Sequence, residues 1–216
     1  GRPTYFHDLL IAPGGDAWIL CSETRVMDLT AVGGLAAANV IATVVQHLSP
    51  AGALLWEWNA FDHFEITDIP LTDRVGVNVD FTHVNAIDFD ADSNLLLSFR
   101  TPNEVTKVDR ATGAVIWRFG GLAGQFTILN DPSGLFERQH GVRWAGTDRI
   151  QMLDIADSPP SRFVRYFLDT TAMTATLEWE FIDSPTTYGN VGGSSQYHPD
   201  GHGTVSFGPR TNATMW

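Results

Sequence analysis

The chain has 216 residues, of which 44% are hydrophobic and 18% charged, and a formal net charge of −12. Such a length and balance describe a globular chain able to bury a sizeable core, and exclude a disordered one. The acidic surplus excludes a nucleic-acid binder, which needs a basic face, and leaves any anionic substrate to be drawn in by local positive groups.

The first recognisable segment is His7-Asp8-Leu9-Leu10-Ile11, a histidine standing before a short apolar run. Residues 1–60 read as one unit of short strands with an insert around Thr30 to Thr43. Within it, the single cysteine, Cys21, excludes an internal disulfide and a cysteine-rich metal site. The longest small-residue run, Val32 to Val45, contains two glycines and an asparagine, so no membrane span is expected. The turn Ser49-Pro50-Ala51-Gly52 then leads into Ala53-Leu54-Leu55-Trp56-Glu57-Trp58. His47 and His63 fall in edge or loop contexts.

The second unit, residues 80–120, opens with His83-Val84-Asn85-Ala86-Ile87. Strands are expected at Val84 to Phe89, Leu95 to Phe99, Glu104 to Val108 and Ala114 to Phe119. The hydrophobic run Leu95-Leu96-Leu97-Ser98-Phe99 ends in Arg100. Asp88-Phe89-Asp90-Ala91-Asp92-Ser93-Asn94 resembles the start of a calcium loop. It has Ser93 where that loop needs glycine and Phe99 where it needs glutamate, so a polar hairpin turn is expected. A third unit, 138–182, begins Gln139-His140-Gly141-Val142-Arg143-Trp144 and continues through Ile150 to Leu153, Val164 to Phe167 and Leu177 to Trp179. Residues 190–209 supply two more strands, Gly193 to Tyr197 and Thr204 to Phe207. His198 and His202 have i, i+4 spacing, but Pro199 and Gly201 oppose a helix, so no metal site is expected there. Asn212-Ala213-Thr214 matches the common glycosylation acceptor.

The units repeat. Trp56, Trp117 and Trp179 recur at intervals of 61 and 62 residues, each in a strand preceded by a turn. Four short antiparallel strands with a recurring aromatic make a propeller blade, and the tryptophans read as blade packing. The expected fold is therefore all-β: a single β-propeller domain over residues 1–216 with about three and a half blades. Closed propellers generally have four or more, so a second chain or a further segment is expected to complete the ring. Equivalent positions of successive blades meet near the axis, which would gather His7, His83, His140 and Arg100. Imidazoles and a guanidinium together suit proton-requiring transfer of an anionic group. Each alone also has a structural reading, with the histidines bonded to neighbouring backbone and Arg100 paired with Asp80 or Asp88.

These same stretches resemble the arylsulfotransferase family. The likeness runs from Thr82-His83-Val84-Asn85-Ala86-Ile87 through Leu95 to Arg100 and on to Lys107-Val108-Asp109-Arg110-Ala111-Thr112-Gly113-Ala114-Val115-Ile116-Trp117-Arg118-Phe119-Gly120-Gly121. It extends to Gly52 through Phe64, to Phe126 through His140, and to Gly193 through Gly201. The resemblance implies a six-bladed ring and sulfuryl transfer from an aryl sulfate to a phenol, with no nucleotide sulfate donor, cofactor or metal. It implies a histidine nucleophile at His140, two supporting histidines at His7 and His83, and a sulfuryl-binding arginine at Arg100. Acid–base duty is assigned to His7 and oxygen binding to His83, with the reverse left open. Asn85 and His63 are expected to contribute to substrate binding. The chain departs from the family pattern at Ala86 and Phe99, where a small residue or serine is frequent, and in lacking about two blades. A propeller used only for ligand binding or assembly, or hydrolysis of an aryl sulfate, are the alternatives. A periplasmic or extracellular location follows from the resemblance, although no signal peptide is read at Gly1.

Overall fold

Period-2 alternation dominates the chain, and strands form almost throughout. The structure, a computed structural model, describes residues 1–158, 160–184, 188–189, 192–197, 203–208 and 214–215. The first sheet holds β1 (Thr4–Ile11), β2 (Ala17–Met27), β3 (Ala38–Leu48) and β4 (Leu54–Asn59) in that order, with β5 (Asn78–Asp80) added parallel to β3. The second is β6 (Val84–Phe89), β7 (Leu95–Phe99), β8 (Glu104–Val108) and β9 (Val115–Gly120). β10 (Thr127–Leu129) joins the third sheet parallel to its last strand. That sheet continues as β11 (His140–Trp144), β12 (Arg149–Asp154), β13 (Arg162–Asp169) and β14 (Thr174–Phe181). A fourth sheet contains β15 (Gly193–Tyr197), β16 (Gly203–Phe207) and β17 (Thr214–Met215).

This is a β-propeller built from four-stranded antiparallel blades. The first strands of successive sheets, β1, β6, β11 and β15, lie against one another, so each sheet contributes its first strand to the axis. Trp56, Trp117 and Trp179 all fall on the fourth antiparallel strand counted from the axis, β4, β9 and β14, which is why they recur at a fixed interval. The core lies between blades. Strand alternation sends Leu95, Leu97 and Phe99 of β7 towards Trp18, Val45 and Trp58 of the first blade. It sends Leu96 the other way, towards Val142, Ile150 and Met152 of the third. All five residues of β7 are therefore buried, and each leucine contributes roughly 2–3 kcal/mol of apolar burial. Leu153 and Phe163 pack on Val205 and Phe207 to join the third blade to the fourth.

Polar contacts lace the same junctions. The Trp58 indole N–H donates to the Gly113 carbonyl (3.0 Å). The Asp8 carboxylate on β1 accepts from the Ile87 N–H on β6 (3.1 Å), and Asp88 on β6 accepts from the Trp144 N–H on β11 (2.8 Å). A carboxylate on each of β1 and β6 thus clasps the backbone of the next inner strand. The Asp88–Asn94 stretch is a hairpin turn: Asp90 accepts from the N–H groups of Asp92 and Asn94 (2.9 and 2.8 Å) and pairs with the Lys107 ammonium.

Three details differ from the sequence expectations. The insert after β2 is shorter, because β3 begins at Ala38 and its β-branched run Val40 to Val45 pairs with β2. His7 lies within β1 and not ahead of it, since Thr4-Tyr5-Phe6 are themselves strand formers. The fourth blade carries a third strand, β17, whose two residues are too few to show a period. His198, His202 and the first two residues of Asn212-Ala213-Thr214 lie outside the described residues.

Candidate functional site

Each of the first three inner strands carries an irregularity beside its histidine. The pairing of β1 with β2 shifts between Thr4 and Leu9, that of β6 with β7 between Val84 and Ala86, and that of β11 with β12 between His140 and Arg143. Such bulges re-aim side chains, and here they turn three imidazoles towards one place. At β11 the bulge needs Gly141, whose φ is +62° and where an added Cβ would stand 2.8 Å from the Gly193 carbonyl oxygen. His83 itself has φ +44°, an unfavourable conformation for a side-chain-bearing residue. Two bonds hold it there: the Asp80 carboxylate accepts from Nδ1, and the Arg100 backbone N–H donates to the His83 carbonyl (3.0 Å).

His7 and His83 meet through their Nε2 atoms at 3.2 Å, which leaves room for one proton between the rings. The His140 ring lies 5.7 Å from that of His7 and 6.2 Å from that of His83, centroid to centroid. Its Nδ1 sits 2.9 Å from the Arg138 carbonyl, which can only accept, so Nδ1 carries the proton and Nε2 the lone pair. One ring nitrogen from each of the three residues lies within 4.8 Å of the others. His140 is 6% exposed. Burial is the main cause that lowers its pKa to about 4, with the positive fields of its neighbours adding to it. Burial also lowers the pKa of His7, and His83 adds to the effect. His140, and His7 to a lesser degree, are therefore held neutral.

Arg100 follows β7 and is half-buried. Its pKa is lowered, chiefly by burial and then by Arg138. Among the described residues no hydrogen bond or ion pair engages its guanidinium, so the expected structural pairing with Asp80 or Asp88 does not occur at contact distance. Asp80 is bonded to His83 and Asp88 to Trp144. Asn85 stands in the β6 bulge; its Nδ2 donates to the Gln139 carbonyl (2.6 Å), one residue before His140, and its buried Oδ1 has no hydrogen-bond partner among the described residues. His63 is not brought to the cluster. It stacks on Trp58, with centroids 4.8 Å apart, at the junction of the first two blades.

Several participants had no signal in the sequence. Asp80 arrives on β5, a three-residue strand reached through three 3-10 turns at residues 60–73. The Arg138 carbonyl is backbone. Tyr5 and Phe6 flank His7, with the Phe6 ring 4.4 Å from the imidazole and 85% exposed. Burial raises the Tyr5 pKa to about 12. A cleft of about 500 Å³ is lined by Thr4 to Leu9, including His7; another of about 320 Å³ is lined by Asp73, Asp80, Arg100 and their neighbours. Behind His140, Gly192 has φ +105°, and a Cβ there would lie 3.2 Å from the His140 Cδ2.

Comparison with known proteins adds a family. A family model described as "Arylsulfotransferase (ASST)" matches residues 3–209. No curated protein matches the chain. Solved structures similar to it include a streptogramin B lyase (13% identity, 94% of this chain and 62% of that one, TM-score 0.49). Others are a virginiamycin B lyase from Staphylococcus aureus (12%, 92% and 62%, 0.46) and hydrazine synthase of Kuenenia stuttgartiensis (12%, 81% and 41%, 0.46). The chain thus spans less than two thirds of the length of these structures. Likeness at this level says nothing of chemistry.

Proposed function

The chain belongs to the arylsulfotransferase family, and from that premise we propose that it moves a sulfuryl group from an aryl sulfate to a phenolic acceptor through a sulfohistidine at His140. The observation that carries the reading is the His140 imidazole, neutral, with Nδ1–H tied to the Arg138 carbonyl and Nε2 left to the histidine cluster.

In the first half-reaction His140 Nε2 attacks sulfur. An S–N bond forms, the bond from sulfur to the aryl oxygen breaks, and the leaving oxygen keeps the electron pair. The His7–His83 pair enters this step with one extra proton, as an imidazolium beside Asp80, and passes that proton to the leaving oxygen, so a phenol departs and the pair is left neutral. In the second, the same pair takes the proton of the acceptor hydroxyl, its oxygen attacks sulfur, and the S–N bond breaks to restore His140. His7 and His83 act as one acid–base unit, with Asp80 fixing the Nδ1–H of His83 and balancing charge when the pair is protonated. Arg100, whose guanidinium has no hydrogen bond or ion pair among the described residues, supplies the cation for the sulfuryl oxygens. The exposed Phe6 and adjacent Tyr5 offer a stacking face for an aryl ring beside His7.

Closing the ring is part of the proposal. β1 presents Leu9 and Ile11 at 54 and 69% exposure, and further blades, from a longer polypeptide or a second chain, would cover them. We place the enzyme in the periplasm or outside the cell. The test is turnover of 4-nitrophenyl sulfate with and without a phenol. Nitrophenol release that depends on the acceptor supports transfer. Equal release without acceptor would mean hydrolysis, and no release from the closed ring would favour a binding propeller.

A further inference from the structure

We propose that the three imidazoles also form a binding site for a borderline divalent cation of the Zn²⁺ class, with His7, His83 and His140 as ligands. The first observation is distance. Zinc–imidazole bonds of about 2.0–2.1 Å put tetrahedral ligand atoms roughly 3.3 Å apart. The Nε2 atoms of His7 and His83 are already 3.2 Å apart, and all three ligand nitrogens lie within 4.8 Å. No pair of ligand nitrogens therefore has to close by more than about 1.5 Å, within reach of side-chain rotations that carry half-buried His7 and His83 towards buried His140.

The second observation is the outer partners. A metal-ligating histidine presents one nitrogen to the ion and donates the other N–H to a carboxylate or backbone carbonyl. His83 donates Nδ1–H to Asp80, and His140 donates Nδ1–H to the Arg138 carbonyl (2.9 Å). Both rings are thus held in the tautomer that leaves Nε2 free, before any ion arrives. His7 joins them by carrying its proton on Nδ1 in place of Nε2. Three imidazoles suit Zn²⁺, Co²⁺ or Cu²⁺ and not the oxygen-seeking Mg²⁺ or Ca²⁺, and the fourth position stays open to water. The one opposing feature is Arg100, whose positive field reaches His7 and His140. Its charge sets the two uses of the site against each other: it favours a sulfuryl anion and disfavours a cation.

The probe is Co²⁺, titrated into the protein at neutral pH and followed by its visible absorption. One equivalent should bind with the strong bands of a four- or five-coordinate ion and be displaced by Zn²⁺ but not by Mg²⁺. Asp80→Asn should weaken binding about 10–100-fold. Arg100→Gln should tighten it at least severalfold while weakening use of an aryl sulfate. In the unaltered protein, Zn²⁺ should shift the imidazole ¹⁵N resonances of three histidines and a chelator should restore them, a readout that survives if a variant fails to fold. Absence of saturable binding up to about millimolar Co²⁺, or binding that leaves those resonances unmoved, would overturn the proposal. The expectation that Zn²⁺ competes with the aryl sulfate rests on the sulfuryl-transfer reading. Co²⁺ binding without any transfer would sink that reading alone, and transfer by chelated protein without Co²⁺ binding would sink the metal site alone.

Discussion

Holding His140 neutral has a cost that can be measured as pH-dependent stability. In the unfolded chain the imidazole takes up a proton near its ordinary pKa of 6.5; in the fold, burial delays this to about 4. Between those values the unfolded state binds more protons, so stability rises with pH across the window. The full contribution is present above about pH 6.5 and is lost as pH falls through about 4. Comparing the two protonation equilibria between about pH 7.5 and about pH 4.5 gives a loss of about 2.5 kcal/mol from this one group. His7, whose pKa is lowered for the same first reason, adds a further loss of the same sign. The assay is urea unfolding of the protein and of His140→Asn at both pH values. The variant should lose about 2.5 kcal/mol less on acidification than the unaltered protein. An identical acid loss in the two proteins would refute the claim that this imidazole is buried and neutral.

Three further outcomes follow from the geometry. His140→Asn should retain the fold by circular dichroism and lower nitrophenol release at least about 1,000-fold, since the Nε2 atoms of His7 and His83 face each other at 3.2 Å; near-normal turnover would remove His140 from the nucleophile role. Gly192→Ala puts a Cβ 3.2 Å from the His140 ring at φ +105°, so it should lower kcat about tenfold or more with a fall in Tm, read by steady-state kinetics and thermal melts. Phe136→Ala empties a fully buried site packed on Phe119 and Tyr166, 5.0 and 6.3 Å away by ring centroids, and should cost about 3–5 kcal/mol in denaturant unfolding.

Much of the blade architecture was legible because a propeller writes itself as a period. Trp56, Trp117 and Trp179 mark one outer strand per blade, and Leu95 to Phe99 reads as strand because adjacent blades cover both of its faces. His83, His140 and Arg100 could be placed because each sits at the boundary of an inner strand or the strand after it. What the sequence hid is what it does not encode locally. β5 and β10 are three-residue strands added in parallel, and nothing in Asn78-Val79-Asp80 announces that it delivers the carboxylate for His83. The Arg138 carbonyl that sets the His140 tautomer is backbone, with no residue type to betray it. His63 shows how little a residue type fixes position: a histidine in a stretch that resembles the family stacks on Trp58 between the first two blades.

The most direct test of the account is to mix the protein with 4-nitrophenyl sulfate in the absence of acceptor and follow nitrophenol and protein mass together. Nitrophenol should appear in a burst of one equivalent, with a mass gain of one SO₃ located on His140 and loss of that adduct when a phenol is added. Steady release with no adduct, or an adduct on any other residue, would contradict it.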